Sequence, residues 1–230
     1  MEPRERLICA LDVDQVDKAK ELVTKLDGVV DFFKVGVVLQ LSSGSEIIPW
    51  LLKQGKKVFL DMKYFDIPET VEKVVALAAK LGVSFLTIHG NAQIIRQAVK
   101  GRGNTDLKLL AVTVLTSLDT TDILDLGFPC SLEEMVLYRA KKAAAYGCDG
   151  VVASGFEIDL IRETIGKKLL VVTPGIRPAG ESLDKHKRAV TPKEAILKGA
   201  DYLVVGRPIT AAPEPYAAAQ KIIEEIALVD

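Results

Sequence analysis

Short apolar, β-branched runs alternate along the chain with longer stretches whose apolar residues recur every three or four positions, the pattern of strands alternating with amphipathic helices. Eight runs read as strands: 7–12, 32–37, 58–63, 85–90, 109–114, 150–154, 169–174 and 202–207. They are almost continuously apolar, which suits a parallel sheet covered on both faces. Helical patterns are expected over 16–26, 45–54, 68–81, 92–100 and 132–146. Ser131-Leu-Glu-Glu134 forms a capping-box pattern, and Thr191-Pro192-Lys-Glu194 adds proline at the first helical position. Gly82, Gly147, Gly166 and Gly199 follow helical patterns and fit left-handed C-caps. Eight βα units favour an α/β fold closed as a (β/α)8 TIM barrel over an open doubly wound sheet, with residues 1–230 as a single domain.

Composition narrows the partners. Of 230 residues, 49% are hydrophobic and 27% charged, enough apolar surface for a full core. Thirty basic against thirty-one acidic side chains leave a formal charge of −1, so no global field favours a nucleic-acid polymer or an anionic membrane. Any anionic ligand must be held locally. The odd set Cys9, Cys130 and Cys148 has no CxxC spacing and reads as reduced cytosolic thiols. The apolar run before Asp12 is too short for a signal sequence, and no uncharged run reaches the ~18 residues of a membrane span. A cytoplasmic location is expected.

His89 and His186 are far apart and no cysteine cluster accompanies them, so a transition-metal site is not expected. His89, at the end of the fourth strand, reads as a hydrogen-bonded core or supporting residue. No GxGxxG or P-loop pattern occurs, which disfavours dinucleotides and nucleoside triphosphates. The segment 175–190 is long for a connection in a compact domain and rich in charge, glycine and proline. Such loops are often binding loops or lids.

The generic pattern ends at Phe59-Leu-Asp61-Met-Lys63-Tyr-Phe-Asp66-Ile67-Pro68. Asp61 and Lys63 stand two apart on a strand and should share a face, with Leu60 and Met62 turned to the helices. Both charges then point into the mouth of the barrel, at the strand ends where such barrels carry their active sites. Asp66 follows in the turn opening the next helix. Lys34 interrupts the apolar run FFKVGV and Asp12 closes LICALD, both awkward places for an unpaired charge. Convergence of all five would set two lysines among three carboxylates. A lone Asp-x-Lys is more often a buried pair kept for architecture. Three strands delivering charge to one rim point instead to a functional site.

The motif Asp61-x-Lys63-x-x-Asp66-Ile67-Pro68 resembles the signature of the orotidine 5′-monophosphate decarboxylase family. The likeness covers nearly the whole chain: Ala10-Leu-Asp12, Phe33-Lys34-Val-Gly36, Val112-Thr-Val-Leu-Thr116-Ser117, Pro174-Gly175-Ile-Arg177-Pro178 and Val205-Gly206-Arg207-Pro208-Ile209 stand in order at strand ends. The resemblance implies a decarboxylase that uses no cofactor and no metal and converts orotidine 5′-monophosphate to uridine 5′-monophosphate, the last step of de novo UMP synthesis. Loss of CO2 there leaves a carbanion at ring carbon 6, which must be met by fixed charge and prompt protonation. Lys63 would deliver the proton, kept in its ammonium form by Asp61 and Asp66. Asp61 would also lie against the departing carboxylate.

The same resemblance assigns Asp12 and Lys34 to the ribose hydroxyls and the charged network, and Thr116 and Ser117 to the pyrimidine. Pro174 joins the substrate-binding set, and Arg177, Gly206 and Arg207 would hold the phosphate. Asp66, Ile67 and Thr70 would reach into the neighbour's site across a homodimer, giving two composite sites. One departure stands out: where the family usually carries Gln-Arg-Arg or Gln-Lys-Arg on the lid, this chain has His186-Lys187-Arg188. An imidazole can donate to phosphate without reproducing both amide contacts, so His186 would be a partial substitute with somewhat weaker substrate binding. Three readings compete: a Mg2+-dependent decarboxylase of a sugar phosphate such as 3-keto-L-gulonate 6-phosphate, a Lys63 Schiff-base aldolase, and a catalytically silent phosphate-binding barrel. The Ile67-Pro68 continuation and the PGIRPAG loop favour the nucleotide enzyme over the first.

Overall fold

Eight parallel strands, each hydrogen-bonded to its neighbours in sequence, close into a barrel when β8 pairs with β1. The computed structural model describes residues 1–43, 46–178 and 189–229. The strands are β1 (Leu7–Ala10), β2 (Phe32–Gly36), β3 (Lys57–Tyr64), β4 (Phe85–His89), β5 (Lys108–Val112), β6 (Gly150–Val152), β7 (Leu170–Thr173) and β8 (Tyr202–Val205). The outer layer begins with α1 (Val16–Lys25), α2 (Val37–Ser43), α3 (Ile47–Lys53), α4 (Pro68–Leu81) and α5 (Ala92–Arg102). It continues with α6 (Thr120–Asp125), α7 (Leu132–Tyr146), α8 (Ile158–Ile165), α9 (Pro192–Leu197), α10 (Arg207–Thr210) and α11 (Pro215–Ala227). The expected barrel is therefore the observed one.

Strand parity decides what each side chain meets. Ile8, Ala10, Phe32, Phe59, Phe85, Leu110, Val172 and Val204 form one cluster inside the barrel. Their sequence neighbours, such as Cys9, Phe33, Val58, Leu60, Leu86, Leu109, Val171 and Val205, belong to the larger cluster between barrel and helices. Period-two alternation in strands covered on both faces thus makes two cores. The inner core is closed by aromatic side chains in edge contact: the Phe85 ring lies 4.8 Å from Phe32, 5.9 Å from Phe59 and 5.0 Å from Tyr202. Such edge-to-face pairs add about 0.5–1.5 kcal/mol each beyond the area they bury.

Local signals stopped and started the helices as chemistry requires. Ser131 and Glu134 form a reciprocal capping box at α7, as do Thr191 and Glu194 at α9, where Pro192 is the first helical residue. Gly82 and Gly147 end α4 and α7 in the left-handed conformation. Gly166 departs from that expectation: its φ is 68° but its ψ is −140°, because the chain turns at once toward β7. Gly199 also has positive φ, two residues beyond the end of α9. A second departure concerns strand ends. Most strands stop one or two residues before the sequence pattern does, since several of the remaining residues leave the ladder to line the mouth, whereas β3 runs on to Tyr64. Helix α2 was not anticipated, because Val37, Val38 and Leu41 are exposed and Leu39 alone turns to the core, which makes no inward stripe.

Candidate active site

Continuing the inward parity by two residues past the inner core reaches the rim. Ala10 leads to Asp12, Phe32 to Lys34, Phe59 to Asp61, Phe85 to Thr87, Val172 to Pro174 and Val204 to Gly206. All of these except Thr87 line one cavity of about 530 Å3 at the C-terminal mouth, together with Lys63, Thr116, Arg177 and Arg207. Apolar Ala10, Phe59, Val112, Val152 and Val204 make its floor. A charged layer over a dry floor follows directly from where the apolar residues stop along each strand.

The charges form a chain. Lys34 Nζ donates to Asp12 Oδ1 at 2.8 Å and stands 3.7 Å from Asp61 Oδ2. Lys63 Nζ donates to the same Asp61 oxygen at 2.9 Å. Asp61 and Lys34 are nearly enclosed, with side chains 12% and 9% exposed, while the Lys63 side chain is 40% exposed and opens on the cavity. Each buried charge has its counter-charge, as burial demands. Gly36 leaves room beside them: a Cβ there would lie 3.2 Å from Lys34 Nζ and 3.4 Å from Asp12 Oδ1, close enough to push the pair by a few tenths of an ångström.

Simple alternation does not put Lys63 there. Between Leu60 and Tyr64 the register of β3 slips against β4, so that four steps on one strand match two on the other. Within this bulge Lys63 has φ of 50°, and among the described residues no other non-glycine residue has positive φ. A left-handed lysine costs on the order of 1–2 kcal/mol, and such strain collects where a side chain must be aimed. Leu60 and Met62 pack on the outer core, as expected. The shared-face expectation for Asp61 and Lys63 is met, by a bulge in place of a regular strand.

Four of the five expected charges converge. Asp66 does not enter this chain's cavity; it is exposed, and its Oδ1 accepts the Ile67 N–H at 2.7 Å where α4 begins. Two lysines and two carboxylates, rather than three, therefore make the mouth of one chain. Ile67 is 63% exposed and Thr70 is half-buried on α4, both away from the cavity lining. Ser117 is exposed and also outside the lining, while Thr116 is inside it. The chain turns at these two residues, and only Thr116 faces inward. His186 lies outside the described residues.

Arg177 donates to the carbonyl of Ile176 at 2.7 Å, and its backbone N–H bonds Val190 O at 3.0 Å. Ile176 and Val190 thus pair as a bridge that pins the two ends of the long loop to the barrel. His89 is half-buried with its ring 4.7 Å from Phe65. Burial, with Arg139 adding repulsion, lowers its pKa and favours the neutral imidazole. Burial pushes the Cys9 and Cys148 thiols up to about 12, so neither is a nucleophile. The residue that sequence reasoning missed is Thr87, fully buried beneath Asp61. Its signal was available, as a hydroxyl two positions past an inward phenylalanine.

A family model described as "Orotidine 5'-phosphate decarboxylase / HUMPS family" matches residues 5–222. The chain belongs to this family. Within the orotidine 5′-phosphate decarboxylase / HUMPS family, a Nitrobacter winogradskyi protein named orotidine 5′-phosphate decarboxylase is 53% identical over 97% of this chain and 93% of its own length. A protein of the same name from Methylococcus capsulatus is 49% identical over 96% and 92%. The crystal structure of orotidine 5′-phosphate decarboxylase from Lactobacillus acidophilus superposes with a TM-score of 0.84 at 40% identity, covering 96% of this chain and 98% of that one. The relationship therefore spans the barrel from end to end.

Proposed function

We propose that this chain decarboxylates orotidine 5′-monophosphate to uridine 5′-monophosphate, with Lys63 as the acid. The observation that carries the reading is the Lys63 ammonium, held over an apolar-floored cavity by Asp61 from a strained, bulged strand. The cavity, about 530 Å3, falls in the range that encloses a small ligand. The bond between ring carbon 6 and the carboxylate breaks, CO2 leaves, and the electron pair stays on carbon 6. The ammonium proton of Lys63 then passes to that carbon, and solvent returns a proton to the amine. Nothing is oxidised or reduced.

Preorganised charge does the rest. Lys63 faces the position where negative charge develops, and its partner carboxylate needs no reorganisation during the step. Asp61 meets the substrate carboxylate as a like charge, which is relieved when CO2 departs. Asp12 and Lys34 bind the ribose hydroxyls, Thr116 and Pro174 border the pyrimidine, and Arg177, Gly206 and Arg207 receive the phosphate. Binding energy from the phosphate end is available to lower the barrier at the reacting ring.

Asp66, Ile67 and Thr70 complete the site of a second subunit in a homodimer. Their position off this chain's cavity supports that role, as do the exposed apolar side chains of Phe65, Ile67 and Leu115 on the same rim. The test follows the fall in orotidine monophosphate absorbance with wild type and Lys63→Ala in EDTA. Wild type is expected to turn over, and Lys63→Ala to lose at least about 10^3-fold in kcat. Equal rates in the two proteins would defeat the assignment, and a wild type that leaves orotidine monophosphate intact but decarboxylates a sugar phosphate only with Mg2+ would return it to the metal-dependent reading.

A further inference from the structure

The bulge that aims Lys63 has a cost beyond its left-handed backbone. Where β3 slips against β4, the ladder loses its register, and a backbone N–H inside the barrel wall needs another acceptor. Thr87 on β4 supplies it. Its Oγ1 accepts the Lys63 backbone N–H at 2.9 Å and donates its own proton to Asp61 Oδ1 at 2.9 Å. The residue is fully buried.

One hydroxyl therefore holds both partners of the central ion pair, each by a different handle. The lysine is held by its main chain, at the residue whose φ is 50°. The aspartate is held by one carboxylate oxygen, which leaves the other, Oδ2, turned to Lys63 Nζ at 2.9 Å and Lys34 Nζ at 3.7 Å. A hydroxyl is suited to this place because it accepts and donates at once, whereas a methyl does neither and a carboxylate could not donate.

We propose that Thr87 is a positioning residue for the reaction: it fixes the rotation of the Asp61 carboxylate and the bulged backbone of Lys63, and so sets the line along which the ammonium meets the substrate. It touches no substrate, since it lies below the cavity lining. The inference rests on the proposed decarboxylation for its kinetic readout, and on geometry alone for its structural one.

Thr87→Val keeps the shape and removes both hydrogen bonds. With orotidine monophosphate, kcat is expected to fall about 10–100-fold while KM changes less than about 3-fold, because aim and not ground-state binding is lost. Thr87→Ser, which keeps the hydroxyl, should restore kcat to within about 3-fold of wild type. If the valine variant does not fold, Thr87→Ala against Thr87→Ser decides the same point, with only the serine active. Crystal structures of the wild type and of Thr87→Ala provide a readout that needs no substrate. Rotation of the Asp61 carboxylate, with Lys63 Nζ displaced from it, supports the proposal. An ion pair that stays in place, or alanine and serine variants with equal kcat, overturns it. A wild type with no decarboxylase activity counts against the function reading alone and leaves the crystallographic result to decide Thr87.

Discussion

The two ends of this barrel carry the same kinds of charged residues to opposite effect. At the N-terminal end Arg162, Arg102 and Lys56 are each tied to backbone as well as to carboxylate. Arg162 donates to the carbonyls of Gly166, Leu169 and Gly199 at 2.7–2.9 Å and to Asp201 Oδ2 at 2.6 Å. Asp201 in turn accepts the Val171 N–H at 2.7 Å. Two strands earlier the device recurs, with Arg102 on Asp149 at 2.6 Å and Asp149 accepting the Leu109 N–H at 2.9 Å. Lys56 closes a third such knot with Asp27, Asp31 and the Val30 carbonyl. These pairs staple helix ends and loops to strand starts.

At the C-terminal end Lys34 and Lys63 bond carboxylates, and both line the cavity. Lys34 and Lys63 share Asp61, no main-chain carbonyl competes for either amine among the described residues, and the backbone beneath Lys63 is strained. Saturated hydrogen bonding makes a charge structural; a charge held on one side and open on the other can act on a ligand. The difference is one of remaining valence, not of residue type.

The largest expected effect that sharpens this contrast comes from Asp61→Asn. Removing the shared carboxylate should lower kcat/KM by about 10^2–10^3-fold while changing stability by no more than about 1 kcal/mol, read from steady-state kinetics and urea melts. A loss of several kcal/mol instead would make the upper network structural like the lower one.

Arg162→Ala should show the reverse. Three carbonyls and Asp201 lose a partly buried partner, for a loss of about 3 kcal/mol in urea denaturation, with kcat/KM within about twofold of wild type at temperatures where the variant is folded. A rate defect in a fully folded Arg162→Ala would break the division between the two ends.

The smallest effect is a dependence on pH at the Lys56 knot. The Lys56 hydrogen bond holds the Asp27 carboxyl below its ordinary value. For Asp31, burial pulls upward but hydrogen bonds from Lys56 and Arg4 outweigh it, so the net direction is also down. A carboxyl with a lowered folded pKa adds stability that is present above the unfolded value, near 3.9, and is lost as pH falls through the folded one. Burial works against the charged form of Lys56, yet its two carboxylates raise it overall. That contribution is full below about pH 10 and lost as pH rises through the folded value. Lys56→Met should therefore flatten the loss of stability below about pH 4, measured by urea melts at stepped pH. Identical acid slopes in both proteins would show that the knot contributes nothing to acid stability.

Much of this was legible beforehand for a definite reason. Local rules act over a few residues, so the capping boxes at Ser131 and Thr191, the start of α4 at Pro68 and the ends of α7 at Leu132–Tyr146 could be read directly. Period-two alternation likewise placed Asp12, Lys34 and Asp61 at the rim. Strand ends read too long because an apolar residue that lines a mouth looks like one that lines a core. Asp66 was placed at the mouth by its position just after β3, and Ser117 by likeness to a family, and the fold of one chain leaves both outside its own cavity.

By itself, the sequence determined eight βα units, their order, and which side of β3 would meet the barrel's interior, because those depend on neighbours two to four residues apart. Tertiary structure alone decided that β3 would slip against β4, that Lys63 would take a left-handed backbone, and that a threonine 24 residues on would hold both it and Asp61. Register between strands is settled by what fits across the ladder, and no local pattern within β3 carries that information.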